Sequence, residues 1–152
     1  MKQLIIALLL LVTASSCKKL AFTKKQEGSF KANGTAYSAN EDMMAAGYIN
    51  SNTLHITIGG GPSSTYTAEV WVDLTKVNVE VPIANHAEGF VYYAGSAAPY
   101  YPVSGHYKIT GHEEGNPATR YTEANFEFRA VNLYHTNDTV NITDGHFYVN
   151  NY

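Results

Sequence analysis

Histidine is the side chain in this sequence with the clearest potential for chemistry, because imidazole binds metal ions and transfers protons near neutral pH. Histidines occur at positions 55, 86, 106, 112, 135 and 146. If residues 106–112 are extended, His106 and His112 point to the same face with Cα atoms roughly 20 Å apart, too far for one ion to bind both. Asp144 and His146 are the weak alternative for a metal site, and solvent-facing turn residues are favoured instead. The sequence predicts no metal and no cofactor.

Nucleophilic and acid–base catalysis have equally little support in the sequence. No serine lies in a Gly-x-Ser-x-Gly motif, which requires a turn from a strand into a helix. The adjacent carboxylates Glu113 and Glu114 precede Gly115-Asn116-Pro117, which reads as an exposed turn. The sequence therefore leaves the question of catalysis open and favours a non-catalytic protein.

Tyrosine is the residue type with the most uneven distribution. Five of the 12 tyrosines lie close together in the chain, at 92, 93, 100, 101 and 107. Pro99 and Pro102 flank Tyr100-Tyr101, and since proline is excluded from central strands we expect these rings on a loop at one end of the sheets. There they either form an exposed contact surface for a sugar or peptide, or cover the open end of the core. Tyr92, Tyr93, Tyr100 and Tyr101 are the candidate ligand-binding residues.

Trp71 is the fifth candidate for ligand binding. In the alternating segment 66–74 it shares a face with Glu69 and Asp73, so we expect a half-exposed ring flanked by carboxylates. That arrangement suits a sugar-binding platform and suits a cross-strand aromatic pair equally well.

The elements that position these residues are short strands. Asn33-Gly34 between two alternating runs predicts a hairpin. Segments 66–74, 77–81 and 120–132 alternate with period two, with Ala124, Phe126, Phe128 and Ala130 on the core side of the last one. About nine or ten strands and no sustained helical spacing predict an all-β fold, an antiparallel two-sheet β-sandwich with a lipocalin-like β-barrel as the alternative.

The N-terminus has the pattern of an export signal. Lys2 precedes an apolar run from Leu4 to Val12, which is much shorter than the roughly 20 apolar residues of a membrane span. Ala14-Ser15-Ser16-Cys17 is similar to a bacterial lipobox, and Cys17 is the single cysteine of the chain. We therefore predict a lipoprotein signal peptide over residues 1–16 and lipidation, including palmitate, at Cys17, which anchors the protein in the membrane.

Charge divides the remaining chain into two parts. Residues 17–28 form a lysine-rich tether, which suits a segment beside anionic lipid head groups. The predicted single domain, residues 29–152, is acidic, and an acidic domain argues against a nucleic-acid partner.

Three motifs near the end of the chain recur in a known pattern: Ile109-Thr110, Phe126-Glu127-Phe128-Arg129-Ala130 and Ile142-Thr143-Asp144-Gly145-His146-Phe147. Together with Phe30, Ala32, Asn33 and Gly34 in the opening hairpin, they resemble a family of small β-rich lipoproteins of Bacteroidota, a family of unknown function. Ala124 stands where the family usually has glycine. The resemblance implies a β-rich fold and an outer-membrane lipid anchor, and it transfers no site residues. Because Lys18-Lys19 follow the cysteine where surface-exposed lipoproteins carry acidic residues, it favours a domain that faces the periplasm.

Two functional hypotheses follow from the sequence. The first is a lipid-anchored, non-catalytic envelope protein that binds a glycan or an envelope partner, with the tyrosines as its contact surface. The alternative is a metal-dependent envelope hydrolase that uses histidines of the region 135–146.

Overall fold

The computed structural model describes residues 24–59, 66–85, 87, 89–94, 99–116, 119–150 and 152. A 3₁₀ turn at Glu41–Met43 joins the second and third of ten strands. The strands are β1 (Glu27–Ala32), β2 (Thr35–Asn40), β3 (Met44–Asn50), β4 (Thr53–Ile58), β5 (Tyr66–Asp73), β6 (Glu80–Pro82), β7 (Val91–Ala94), β8 (Tyr100–Glu113), β9 (Tyr121–Asn132) and β10 (Thr139–Asn150).

All ten strands belong to one curled antiparallel sheet. Its order is β2-β1-β10-β9-β8-β7-β5-β4-β3, and β6 pairs with β8. The all-β prediction and the predicted antiparallel pairing are therefore confirmed. No helix in the described ranges is long and apolar enough to cross a membrane.

The predicted hairpin at Asn33-Gly34 is confirmed. These residues connect β1 to β2 with φ angles of 47° and 84°, the left-handed conformation that a two-residue type I′ turn requires. Asn33 also fixes the neighbouring strand, because its Oδ1 accepts a hydrogen bond from the Asn141 N–H at 2.9 Å. The turn therefore links β2, β1 and β10 at one end of the sheet.

Side-chain alternation places one face of the curled sheet in the core. The inward residues of β5 and β9 are nearly all fully buried, as the sequence predicts. The curl brings β1 against β3 and β4, where a Cβ on Gly28 would lie 2.9 Å from the Ile58 side chain and 3.1 Å from that of Met44. Each large aliphatic side chain buried in this way contributes about 1.5–3 kcal/mol to stability.

The prediction of an alternating strand over 77–81, which would place Val77, Val79 and Val81 on one inward face, was wrong in part. Val79 is 50% exposed, and only residues 80–82 form a strand, β6. Asn78 has a φ of 61°, which ends the extended conformation, and its N–H donates to the Ile109 carbonyl at 2.8 Å. The left-handed residue turns the chain, so strict alternation fails at this point.

The prediction that His106 and His112 share a face was also wrong. A β-bulge interrupts β8 between Ile109 and Gly111, and one extra residue reverses which face the following side chains occupy. His106 lies on the outer face, whereas the His112 Nδ1 lies 3.0 Å from the hydroxyl of fully buried Thr122.

Candidate functional site

Strand alternation separates the four candidate tyrosines into two pairs. Tyr92 in β7 and Tyr100 in β8 face each other across the two strands and are 3% and 9% exposed. Tyr93 and Tyr101, the next residue in each strand, point to the outer face and are half-buried. One tyrosine of each pair therefore belongs to the core and the other to the surface.

The inward pair is part of an aromatic cluster. The Tyr92 ring lies 6.0 Å from the Phe30 ring, 6.3 Å from that of Tyr66 and 5.7 Å from that of Tyr100, and burial raises the pKa of its hydroxyl. The Tyr100 hydroxyl donates to Oδ2 of Asp138 at 2.7 Å, which ties the start of β8 to the turn after β9. For this pair, packing in the core is the interpretation that the geometry supports.

The prediction that Tyr100 and Tyr101 lie on a loop was wrong, because both begin the central strand β8. Pro102 is tolerated there for two reasons. A β-bulge follows it, between Pro102 and Ser104, and β7 pairs with β8 only at Tyr100. The missing N–H of the proline therefore costs no ladder hydrogen bond on the β7 side.

The outward pair shares the outer face of the sheet with Trp71, and we term the three residues the outer aromatic strip: Trp71 on β5, Tyr93 on β7 and Tyr101 on β8. Tyr93 is directly opposite Thr67, four residues before Trp71 on β5. Glu69 lies within this strip, one outward position before Trp71 on the same strand. Burial raises the pKa of Tyr93, and the nearby charges of Glu69 and Tyr101 add to that effect. The strip thus combines three rings and a carboxylate on neighbouring strands.

Trp71 makes the cross-strand aromatic pair that the sequence allowed. Its ring packs edge-on against His55 with centroids 5.7 Å apart, and a Cβ on Gly89 would lie 1.9 Å from the indole ring. Only glycine therefore fits over this part of Trp71. The indole Nε1 and the His55 Nε2 are buried with no hydrogen-bond partner in the part of the chain that the structure describes. The His55 Nε2 lies 3.6 Å from the Glu69 carboxylate.

Glutamates accompany the outer-face histidines. His106 lies between Glu80 and Glu127, with its Nε2 4.0 Å from one carboxylate and its Nδ1 3.6 Å from the other. The two carboxylates therefore approach opposite sides of the ring and do not converge on one point. Across the described ranges, no group of three or more His, Cys, Asp or Glu side chains is arranged to hold a metal ion.

The two residues of the weak metal alternative have different partners. The Asp144 carboxylate pairs with Lys31 at 2.7 Å, and the His146 Nε2 lies 3.0 Å from Oε1 of Glu123. The same glutamate oxygen accepts a hydrogen bond from Lys24 at 2.8 Å. The bond from Lys24 holds the pKa of Glu123 below its usual value, burial opposes this, and the contact with His146 lowers the pKa further.

Two grooves on the outer face meet at His146. The larger, of about 610 Å³, lies over the ends of β1 and β2 and is lined in part by Ser29, Glu41 and Asp42. The smaller, of about 410 Å³, extends from His146 across β9 and β8 to Glu80 on β6. The sequence analysis missed this region. The residues that line it occupy outward positions of their strands, which alternation in the sequence can indicate. Which of these residues are neighbours depends on strand order and register, which the sequence does not show.

Several predicted features lie outside the described residues. These are the signal peptide, the lipidation site Cys17, the tether up to residue 23, and His86. The described chain begins at Lys24, and residues 24–26 are bound to the sheet because Gln26 donates to the Asn150 carbonyl at 2.8 Å. β1 begins at Glu27, two residues before the predicted start of the domain.

No protein-family model, curated protein or solved structure matches this chain.

Proposed function

We propose that the protein is a lipid-anchored, non-catalytic envelope protein whose β-domain binds a glycan through the outer aromatic strip. The observation that carries the proposal is the outward placement of Tyr93 and Tyr101 on neighbouring strands beside Glu69, with Trp71, partly covered by Gly89, farther along the same face. Aromatic faces pack on the apolar faces of sugar rings, and a carboxylate accepts hydrogen bonds from sugar hydroxyls. Rigid strands hold all four groups, so little side-chain order is lost on binding.

The anchor in this proposal comes from the sequence at the N-terminus. The apolar run and the lipobox-like Ala14-Ser15-Ser16-Cys17 support lipidation at Cys17, and Lys18-Lys19 support an outer-membrane protein that faces the periplasm. We expect the wild-type chain to incorporate labelled palmitate and the Cys17→Ala variant to incorporate none. Equal labelling of both chains would contradict the anchor without affecting the sugar site.

The sugar site has a built-in reporter, because Trp71 is the one tryptophan of the chain. Titration of the full chain in detergent with neutral oligosaccharides should shift or quench its fluorescence. The Tyr93→Ala and Tyr101→Ala variants should each weaken binding about fivefold, since stacking on a ring is worth about 1 kcal/mol. Tyr134→Ala is the matched control, because Tyr134 is 73% exposed and lies in the turn after β9. Unchanged fluorescence across a broad oligosaccharide panel would contradict the proposal.

For the arrangement of the layers we propose the two-sheet sandwich, with the barrel as the alternative. Support comes from the contact of inner faces, such as Tyr37 on β2 with Tyr66 on β5, whose ring centroids lie 4.4 Å apart. The end strands β2 and β3 each pair with one neighbour in the sheet order. Amide hydrogen exchange tests this, because every second amide of β2 and β3 exchanges rapidly in a sandwich and is protected in a closed barrel.

A further inference from the structure

Three hydrogen-bonding side chains form a row across the outer face, perpendicular to the strands. Lys108 on β8 is directly opposite Asn125 on β9, and Asn125 is directly opposite His146 on β10. Neighbouring strands lie about 4.8 Å apart, so the row spans roughly 10 Å. All three residues line the groove of about 410 Å³.

The carboxylates of this groove each have a histidine or a lysine within 4.0 Å. His106 lies between the carboxylates of Glu80 and Glu127, and Asp144 pairs with Lys31 outside the groove. Within the described ranges Lys108 makes no ion pair, and its side chain is exposed. The amide of Asn125 is likewise exposed and makes no hydrogen bond to the described chain. The groove therefore offers an ammonium group that makes no ion pair, beside an unused amide donor, with Glu80 directly opposite Lys108 on β6.

A β-bulge shapes the wall of the groove beside His146. The ladder between β9 and β10 is interrupted between Ile142 and Gly145, and Asp144 takes a φ of 51°. A Cβ on Gly145 would lie 2.4 Å from the Phe126 carbonyl oxygen, so β10 approaches β9 here as closely as glycine allows. The row consequently lies on rigid backbone, where its spacing is fixed before a ligand arrives.

We propose that this groove binds a sugar acid. The carboxylate of the ligand accepts hydrogen bonds from Lys108 and Asn125, and the sugar hydroxyls donate to Glu80 and Glu127. A single negative charge fits this groove better than a phosphate, because three carboxylates line it and repel a dianion more strongly. The site is separate from the outer aromatic strip, which takes neutral sugar rings in the proposed function.

The test is a titration of the full chain in detergent, followed by NMR shifts of the backbone amides of β8–β10. The probes are D-glucuronate, D-glucose and inorganic phosphate. We expect D-glucuronate to bind at least tenfold more tightly than D-glucose and more tightly than phosphate, without a change in Trp71 fluorescence. Absence of D-glucuronate binding, or tighter binding of phosphate, would overturn the proposal.

Two variants locate the site. Lys108→Gln should weaken D-glucuronate binding about tenfold, the effect of one charge-assisted hydrogen bond, and the nearly isosteric Asn125→Asp should abolish binding by placing a carboxylate in the row. Lys76→Gln is the matched control, because it removes the same charge from an exposed lysine outside the groove. Equal binding by Lys108→Gln and Lys76→Gln, with both variants folded, would show that the groove is not the site.

Discussion

Replacing Tyr100 by phenylalanine removes one hydroxyl from the edge of the core and leaves the ring in place. That hydroxyl donates to Oδ2 of Asp138 at 2.7 Å, and the tyrosine is 9% exposed. Hydrogen bonds to charged groups contribute about 1.5–3 kcal/mol, and because this bond lies at the partly solvated end of β8 we expect a loss of about 1.5 kcal/mol. For a domain of this size the melting temperature should fall by roughly 5 °C.

The assay is urea denaturation of the full chain in a double-mutant cycle with Tyr100→Phe and Asp138→Ala. If the hydroxyl and the carboxylate stabilise the fold through each other, the double variant loses less than the sum of the two single losses, by about 1 kcal/mol. Tyr134→Phe is the control, since Tyr134 is 73% exposed. Additive losses, or a Tyr100→Phe variant as stable as Tyr134→Phe, would refute a stabilising hydrogen bond between Tyr100 and Asp138.

Two further predictions concern the region around the grooves. Gly145→Ala should lower the free energy of unfolding by about 2–3 kcal/mol, because the new Cβ meets the rigid Phe126 carbonyl. Gly47→Ala is the control and should not lower it, because nothing lies within 4 Å of the added atom. Equal losses for the two variants in urea denaturation would contradict this prediction. The hydrogen bond from Lys24 lowers the pKa of Glu123 from 4.5. The ionised carboxylate therefore stabilises the folded state above pH 4.5, and this stabilisation is lost as the pH falls through the lower pKa of the folded state. Glu123→Gln should therefore destabilise the protein at pH 7 and have little effect near pH 3, and a deficit that is the same at both pH values would count against the ion pair.

The candidate tyrosines show how far local reasoning reaches. Their clustering indicated a distinct region of the fold, but the flanking prolines suggested a loop and the structure has strands. Consecutive residues of a strand point to opposite faces. If each Tyr-Tyr pair lies in a strand, one ring of the pair must therefore point inward. That signal was present in the sequence, and the assignment to a loop hid it.

A β-bulge explains why one side chain was assigned to the wrong face of the sheet. Alternation predicted the inward residues of β5 and β9 correctly, because both strands run without interruption on their inward faces. In β8 the bulge after Ile109 moved His112 away from the face of His106. A bulge adds one residue without an obligatory sequence signature, so its position depends on how the neighbouring strands pack.

The sequence by itself determined the features that depend on neighbours in the chain: the all-β class, the Asn-Gly hairpin and the inward faces of the regular strands. Turn conformation and side-chain alternation are local properties, and they leave a local pattern. Only the tertiary structure decided that Lys108, Asn125 and His146 form one row, and that Trp71, Tyr93 and Tyr101 lie on the same face of the sheet. The physical reason is that strand order and register between distant segments arise from the packing of the whole core.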